Sequence, residues 1–570
     1  MEKRWVLKEQ GDASEVAQLS NDLGIDKVLA NLLIQRGVKT FEQAKYFFRP
    51  SLEMLYDPFL MKDMDKAVAR IQEAIAKDEK ILVYGDYDVD GTTAVALMYA
   101  FLSLIFDKIY YYIPNRYSEG YGISFAGIDY AVDNGYSLVV ALDCGIKAVE
   151  KVEYASQKGV DFIICDHHLP SDVIPAAVAV LDPKRIDCNY PFKELSGCGV
   201  GFKLAQGIAL RKGIPFSELE PLLDLVAVSI ASDIVPLIDE NRVLAHFGLK
   251  RLNENPRKGL KSIIKLAGLD GHSMAVDDIV FKIGPRINAA GRMESGKAAV
   301  DLLLAERDDH AAEMGDLINT CNNDRKNVDR SITLQALEMI ETNPELQSKK
   351  ATVLYNPDWH KGVVGIVASR LIDYYYRPTI VLTSSNGFAT GSARSVPGFD
   401  LYQAIDSCSD LLENFGGHMY AAGLTLKVEN VEIFKKRFEQ VVEENITDDM
   451  MVPMVEIDSE LTFSEINDKF FRILKQFQPF GPGNMSPVFV THGAVDNGDG
   501  RLVGLDHDHL KLDLIQEDNP VKPIAAIGFQ HAIHFNHIHQ GKSFDVCYAI
   551  AENTYRGVSS IQLRIKDIKY

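Results

Sequence analysis

The densest chemistry in the chain is Asp86-Tyr-Asp-Val-Asp-Gly91, three carboxylates two residues apart, directly after the apolar run Lys80-Ile-Leu-Val-Tyr84. Acids held this close repel one another unless cations compensate them, so the spacing points to metal binding rather than to an acidic turn. A calcium loop of the EF-hand kind also starts D-x-D-x-D-G. Here the twelfth position, counted from Asp86, is Leu97, and the preceding segment reads as a strand, which rejects that reading. Three further signals follow. Asp143 closes the run Leu138-Val-Val-Ala-Leu142, Asp166-His-His168 closes Asp161-Phe-Ile-Ile-Cys165, and Asp233 follows an apolar helix pattern. Taken singly, Asp143 and Asp233 read as well as helix-cap or turn residues. Adjacent histidines are stronger, because imidazole ligates divalent transition metals well.

These residues need elements to bring them together. Strand patterns at 80–84, 108–113, 138–142, 161–165 and 177–181 alternate with helix patterns at 94–104, 125–134 and 147–157. That is the signature of a parallel α/β sheet buried on both faces. Ligands of such sheets bind beyond the carboxyl ends of the strands, where the first three acidic clusters fall. Carboxylates with one or two histidines can hold two divalent ions, a pair that clamps the attacking and leaving oxygens of a phosphoryl group. Oxygen donors with an imidazole suit Mn²⁺ or Mg²⁺ better than Zn²⁺. Helix patterns also fit 202–211 and 218–230. From 316 to 343 there is neither Gly nor Pro, which predicts a long polar helix as a spacer. A second α/β pattern follows, and from about 454 short strands with turns resemble a small β-barrel. The organisation read from this pattern is an N-terminal cap at 1–60, a catalytic α/β domain at 61–305, a connecting helix at 306–344, a second α/β domain at 345–450 and a barrel domain at 451–570.

Composition bounds the class. The 570 residues are 46% hydrophobic and 25% charged, which excludes a mainly disordered chain and supplies several cores. No apolar run reaches the length of a membrane span. The charged start lacks the apolar stretch of a secretory signal, and seven dispersed cysteines form no C-x-x-C pair. Both features predict a cytoplasmic protein with reduced thiols. A net charge of −20 argues against a broad electrostatic grip on nucleic acid, though not against a local basic groove. Neither a Gly-x-Ser-x-Gly elbow nor a P-loop is present.

In order and spacing, the four acidic signals resemble the motifs of the DHH phosphoesterase superfamily. Gly284-Pro-Arg-Ile-Asn-Ala-Ala-Gly-Arg-Met293 resembles the segment typical of its RecJ branch. Gly416-Gly-His418 with Ala421-Ala-Gly423 looks like the signature of the DHH-associated domain, and the tail with Phe480-Gly-Pro-Gly-Asn484 resembles an OB-fold. The resemblance implies a single-strand-specific 5′→3′ exonuclease acting in DNA repair and recombination. It implies metal ligation by Asp86, Asp88, Asp90, Asp143, His167 and Asp233, with Asp143 bridging and Asp86 the less certain direct ligand. His168 would face the scissile phosphate, Asp166 would orient its neighbours, and Asp90 and Asp143 would share the catalytic work. Arg116, Ser392 and Arg394 would read the terminal 5′ phosphate. Arg286 and Arg292 would contact the strand, Tyr121 would stack on a base, and His418 would line the same cleft. Single-strand-binding protein and a RecQ-type helicase are implied partners, and a monomer the implied state. A DHH phosphodiesterase for short or cyclic dinucleotides, or a non-catalytic replication scaffold, are the competing readings.

Three signals receive structural readings. His531, His534 and His537 recur every third residue and predict a solvated helix face. Gly197-Cys-Gly-Val-Gly201 predicts close packing before a helix at 202. Trp359-His-Lys-Gly362 fits a loop contact or a cap.

Overall fold

The computed structural model describes residues 2–293, 295–516, 519–555 and 558–570. They form two compact units. One holds the chain up to Lys8 with Asn323–Ile457, and the other holds Glu9–Asn322 with Asp458–Tyr570.

The larger unit is built on a five-stranded sheet. Its strands are β1 (Lys80–Gly85), β2 (Ile109–Tyr112), β3 (Tyr136–Leu142), β4 (Asp161–Cys165) and β5 (Ala179–Leu181), in the order β2-β1-β3-β4-β5. All four pairings are parallel. Successive residues alternate between two cores. Ile81, Val83, Leu138, Val140 and Ile163 enter one, and Leu82, Tyr84, Val139, Phe162 and Ile164 the other. Both faces are therefore covered, and the free polar edge is the one where the strands end.

Helix Gly284–Met293 carries a glycine at each end of a seven-residue interval. Two turns separate them, so both lie on one face. A Cβ on Gly284 would come within 2.8 Å of the Ser232 hydroxyl, and one on Gly291 within 2.5 Å of the Tyr87 carbonyl. The helix thus packs on the segments carrying Asp233 and Asp86–Asp90 at once.

In the smaller unit, β6 (Thr352–Tyr355), β7 (Thr379–Ser385), β8 (Phe388–Arg394), β9 (Leu412–His418) and β10 (Ala421–Lys427) form a sheet in the order β9-β10-β8-β7-β6. Only β6 and β7 are parallel, so this sheet is mixed. The strands of the C-terminal region include Phe489–Asp496, His509–Gln516, Asn519–Gly528, Phe544–Tyr555 and Val558–Lys569. Phe489–Asp496 pairs with both His509–Gln516 and Phe544–Tyr555, which closes five strands into the predicted barrel. Helices Ala13–Leu23, Lys27–Gln35 and Phe41–Phe48 share their core with that barrel. Leu19, Leu29 and Leu33 join Phe470, Phe477 and Phe489 in one cluster.

Several predicted bounds move. The connecting helix runs Asp308–Glu341, inside the 306–344 span read for it, and starts eight residues before the Gly- and Pro-free stretch because Gly315 lies inside it. A Cβ there would meet the Ser262 hydroxyl at 2.2 Å, so the glycine serves close packing and not helix termination. Pro344 opens a further short helix, Pro344–Ser348, rather than merely ending one. The helix expected from 202 begins at Gly197, for a reason that belongs to the site. Trp359 is buried and donates its indole N–H to Gln335 Oε1 at 2.9 Å, which makes it a packing residue. The histidine stripe lies on a short turn and helix, with His537 stacked on Tyr570 at 3.7 Å instead of facing solvent along its length. All seven cysteines are buried. Among the described residues, no helix is long and apolar enough to cross a membrane.

Candidate metal centre

The carboxyl ends of β1, β3 and β4 deliver the acidic motifs to one edge. After β1 the chain turns directly into helix Val89–Leu102. Asp88 caps it, its Oδ1 accepting the Gly91 N–H at 2.9 Å. Gly91 is obligatory, since a Cβ would lie 2.5 Å from the Asp86 carbonyl oxygen. Asp86 is fully buried. One of its oxygens accepts the Gly122 N–H at 3.2 Å and the other has no hydrogen-bond partner. Burial and the neighbouring Asp88 push its carboxyl well above the usual range.

Asp90 is held by the start of helix Gly197–Lys212. The Gly197 and Cys198 N–H groups donate to its two oxygens at 2.7 and 2.8 Å, and the Ser229 hydroxyl adds a third bond at 2.6 Å. A helix N-terminus favours a carboxylate through its unpaired N–H groups and dipole. This is why the helix starts five residues early, and it gives the Gly197–Gly201 segment a role beyond packing. The sequence carried no signal for it except the run of small residues.

Asp143 leaves β3 at φ 58°, the left-handed region that a non-glycine residue enters at a cost. It is buried, and neither carboxylate oxygen has a hydrogen-bond partner. Burial, with Asp90, Asp88 and Asp233 around it, raises its carboxyl far above the ordinary value. Ile234, next to Asp233, also has a left-handed backbone, φ 60°, which is rarer still for a β-branched side chain. Burial and Asp90 raise Asp233 to about 8.

His167 stands among these acids. Its Nε2 lies 3.3 Å from Asp143, 3.5 Å from Asp233 and 3.8 Å from Asp90. Neither ring nitrogen has a hydrogen-bond partner, and burial pushes its pKa down, keeping the ring in the neutral, ligating form. His168 is different. Its Nδ1 meets Asp166 at 2.7 Å, and against the effect of burial that bond and charge lift it to about 9. Asp166 is saturated, accepting the N–H groups of Ile146, His167 and His168 besides the His168 ring. Burial alone would raise its pKa; these partners hold it at about 2.

Two sets of three donors, Asp143/His167/His168 and Asp90/His167/Asp233, each lie within 4.8 Å of one another. Asp86 and Asp88 fall outside both sets and sit beside them. Buried carboxylate oxygens and imidazole nitrogens without partners are costly unless a cation meets them. The donor set of oxygens with imidazole fits Mn²⁺ or Mg²⁺.

On the β2 flank, the loop from Pro114 to Gly122 presents two of the expected substrate residues. The Arg116 guanidinium lies 4.9 Å over the Tyr87 ring. Tyr121 is half exposed, 5.8 Å edge-on to Tyr87 and 6.3 Å from the His168 ring. Tyr87, hidden between two acids of the first motif, therefore joins Arg116 to Tyr121 and was not singled out by sequence. Arg286 has its guanidinium bound to Asn319 Oδ1 and the Lys282 and Leu266 carbonyls, which gives it a bracing position in this structure. The Arg292 carbonyl accepts the Tyr117 hydroxyl.

The smaller unit holds the others. Ser392 and Arg394 occupy alternate positions on β8, on one face. Both reach the first turn of helix Val364–Tyr374. A Cβ on Gly365 would stand 3.0 Å from Ser392 Oγ and 3.1 Å from Arg394 Nη2. Among the described residues Arg394 makes no ion pair; it donates to the Ala393 carbonyl at 2.8 Å, and burial lowers its pKa. A hydroxyl, a guanidinium and a helix N-terminus at one point suit an anion. His418 is exposed on β9, its Nδ1 accepting the Tyr420 N–H at 3.3 Å.

Comparison with known proteins agrees with this geometry. Residues 80–230, which hold the parallel sheet, match the model of the DHH family N-terminal domain, residues 348–444 match the DHHA1 domain, and residues 457–567 match the RecJ OB domain. The chain is 37% identical over 566 residues to the single-stranded-DNA-specific exonuclease RecJ of Bacillus subtilis, covering 99% of this chain and 70% of that protein. It is 32% identical to the RecJ of Escherichia coli, covering 99% of both. The crystal structure of Thermus thermophilus RecJ in complex with Mn²⁺ superposes with a TM-score of 0.85 at 26% identity, covering 100% of this chain and 79% of that one. Its Mg²⁺ complex gives 0.78 at 25% identity, covering 100% and 78%. The chain belongs to the RecJ family.

Proposed function

We propose that this chain is a single-stranded-DNA-specific exonuclease that hydrolyses phosphodiester bonds from the 5′ end and releases mononucleotides, using two divalent ions, Mn²⁺ or Mg²⁺. The observation that carries the reading is His167 set among Asp90, Asp143 and Asp233, with the buried oxygens of Asp143 and both ring nitrogens of His167 met by no protein donor. Relatives named as single-stranded-DNA-specific exonucleases support the substrate class.

Asp90, Asp143, His167 and Asp233 would hold the ions, with Asp86 and Asp88 beside them. Bound there, the ions lower the pKa of water and offset charge on the phosphoryl oxygens. The chain's own groups do the rest. The helix N-terminus at Gly197 and the Ser229 hydroxyl fix the direction in which the Asp90 carboxylate points. Asp166 fixes the His168 ring, keeps it protonated near neutral pH, and so places a cation against the developing charge of the scissile phosphate. Tyr121 offers a face for the terminal base. Arg116, and Ser392 with Arg394, are the proposed phosphate contacts; Arg292, Arg286 and His418 are proposed to follow the strand. Guanidinium forks suit phosphate oxygens.

The proposed setting is DNA repair and recombination in the cytoplasm, as a monomer supplied with single strands by a RecQ-type helicase and single-strand-binding protein. The test uses Mn²⁺ and a long single strand labelled at either end, with a blunt duplex and Asp143→Ala alongside. Early release of a labelled mononucleotide from the 5′-labelled strand alone, absent on duplex and in the variant, is the expected result. Early release from the 3′ label overturns the polarity. No cleavage of either strand overturns the whole reading.

A further inference from the structure

The loop from Pro114 to Gly122 is short, lies at the surface and carries two glycines in the left-handed region, Gly120 at φ 87° and Gly122 at φ 78°. Tyr121 sits between them. Such a segment has little of its own to hold it, since neither glycine brings a side chain and both are conformationally permissive. Yet Arg116 and Tyr121 must be presented at fixed positions if they are to meet a strand.

One carboxylate gathers the loop. Glu119 accepts the Asn115 N–H at 2.7 Å, the Tyr112 hydroxyl at 3.0 and 3.1 Å on its two oxygens, and the Ser124 hydroxyl at 2.5 Å. These donors come from the end of β2, the beginning of the loop and the cap of helix Phe125–Asp133. The arrangement has direction. Ser124 Oγ accepts the Gly127 N–H at 2.8 Å as the helix cap, so its proton is free to point at Glu119. The loop also closes on itself, Asn115 Oδ1 accepting the N–H groups of Tyr117 and Ser118 and the Asn115 carbonyl accepting that of Glu119. At the far end the Tyr84 hydroxyl donates to the Gly122 carbonyl at 3.0 Å. Glu119 is thus the point where strand, loop and helix cap meet, three residues after Arg116 and two before Tyr121.

We infer that Glu119 is a positioning residue for strand binding: it touches neither metal nor DNA, and it holds Arg116 and Tyr121 in the conformation that meets the first nucleotide. The inference rests on the reading of Arg116 and Tyr121 as strand contacts. A lost preorganising contact of this kind weakens binding without altering the reacting groups, because Asp90, Asp143, His167 and Asp233 are held by other bonds.

The experiment measures KM and kcat on long single-stranded DNA with Mn²⁺, and Mn²⁺ binding by calorimetry without DNA, for Glu119→Ala, Glu119→Gln, Tyr112→Phe and Arg116→Ala. Glu119→Ala should raise KM about tenfold, the size of one lost hydrogen bond to a charged group, with kcat within about a factor of two and Mn²⁺ affinity unchanged. Glu119→Gln keeps one acceptor oxygen of the same reach and turns the other into a donor, so it should recover part of the loss. Tyr112→Phe removes one donor, leaves the carboxylate in place and should give a smaller rise in KM; it carries the test if Glu119→Ala does not fold. An unchanged KM in both Glu119→Ala and Tyr112→Phe, or a fall in kcat and Mn²⁺ affinity instead, overturns the inference. If Arg116→Ala also leaves KM unchanged, the underlying reading of the loop has failed; if Arg116→Ala raises KM while Glu119→Ala does not, only the role of Glu119 has.

Discussion

The two sheets of this protein place their chemistry in opposite ways. In the all-parallel sheet the functional groups sit where strands stop, at Asp86–Asp90, Asp143 and Asp166–His168, and Asp86, Asp90, Asp143, Asp166 and His167 are pulled out of water. In the mixed sheet Ser392 and Arg394 sit within a strand, side by side on one face, and gain their meaning from the helix that starts beneath them. The first arrangement gathers carboxylates that must either hold protons or meet a metal cation. The second leaves a guanidinium among N–H donors, which only an anion can relieve.

That contrast can be broken at several points. Replacing Asp143 with Ala should abolish nuclease activity, by on the order of a thousandfold or more, and calorimetry with Mn²⁺ should show weakened metal binding; retained activity would mean that the strand-end acids are not the centre. Gly197→Ala should come next. Its Cβ would stand 2.6 Å from Asp143 Cβ and Oδ1, so it should displace that carboxylate and cost about a hundredfold in kcat, a loss that steady-state kinetics at saturating DNA would register. Arg394→Ala should act on the other surface, raising KM about tenfold while Mn²⁺ binding stays as in the wild type. A fall in Mn²⁺ affinity there would erase the distinction between the two sheets.

The smallest effect is on stability and has a definite sign. Asp233 keeps its proton up to about 8 in the folded, metal-free protein, while the unfolded chain releases it near about 4. Between those values the folded state binds more protons, so metal-free stability should fall as pH rises from about 4 to about 8. Asp233→Asn should flatten that slope by a few degrees in thermal midpoint, and Mn²⁺ should flatten it in the wild type by occupying the same carboxylates. A metal-free midpoint equally steep in Asp233→Asn would remove Asp233 from the group of strained acids.

Much of the first sheet was legible because its strands are unbroken apolar runs that end in rare residue clusters. The parallel sheet and the acidic edge followed from that patterning, and the barrel from short strands separated by turns. What stayed hidden has physical reasons. The groups that hold Asp90 are mostly backbone N–H donors at Gly197 and Cys198, and a backbone donor leaves no letter in the sequence. Strands β8, β9 and β10 carry Gly391, Gly416, Gly417 and Gly423, which interrupt the alternation by which strands are recognised. Gly315 looked like a helix boundary and proved to be a contact with Ser262, tertiary packing overriding local propensity. Tyr87 was screened by the acids on either side of it.

The core shared by the N-terminal helices and the barrel sets an order on how the molecule can be made. Leu19, Leu29 and Leu33 share one core with Phe470, Phe477 and Phe489, so part of the apolar surface of residues 13–48 waits through about 400 residues of synthesis before it is covered. At ribosomal speed that interval is on the order of tens of seconds. During it the leading helices are ready-made surface for a chaperone or for a neighbouring nascent chain, and only completion of the last strands turns that exposed surface into interior.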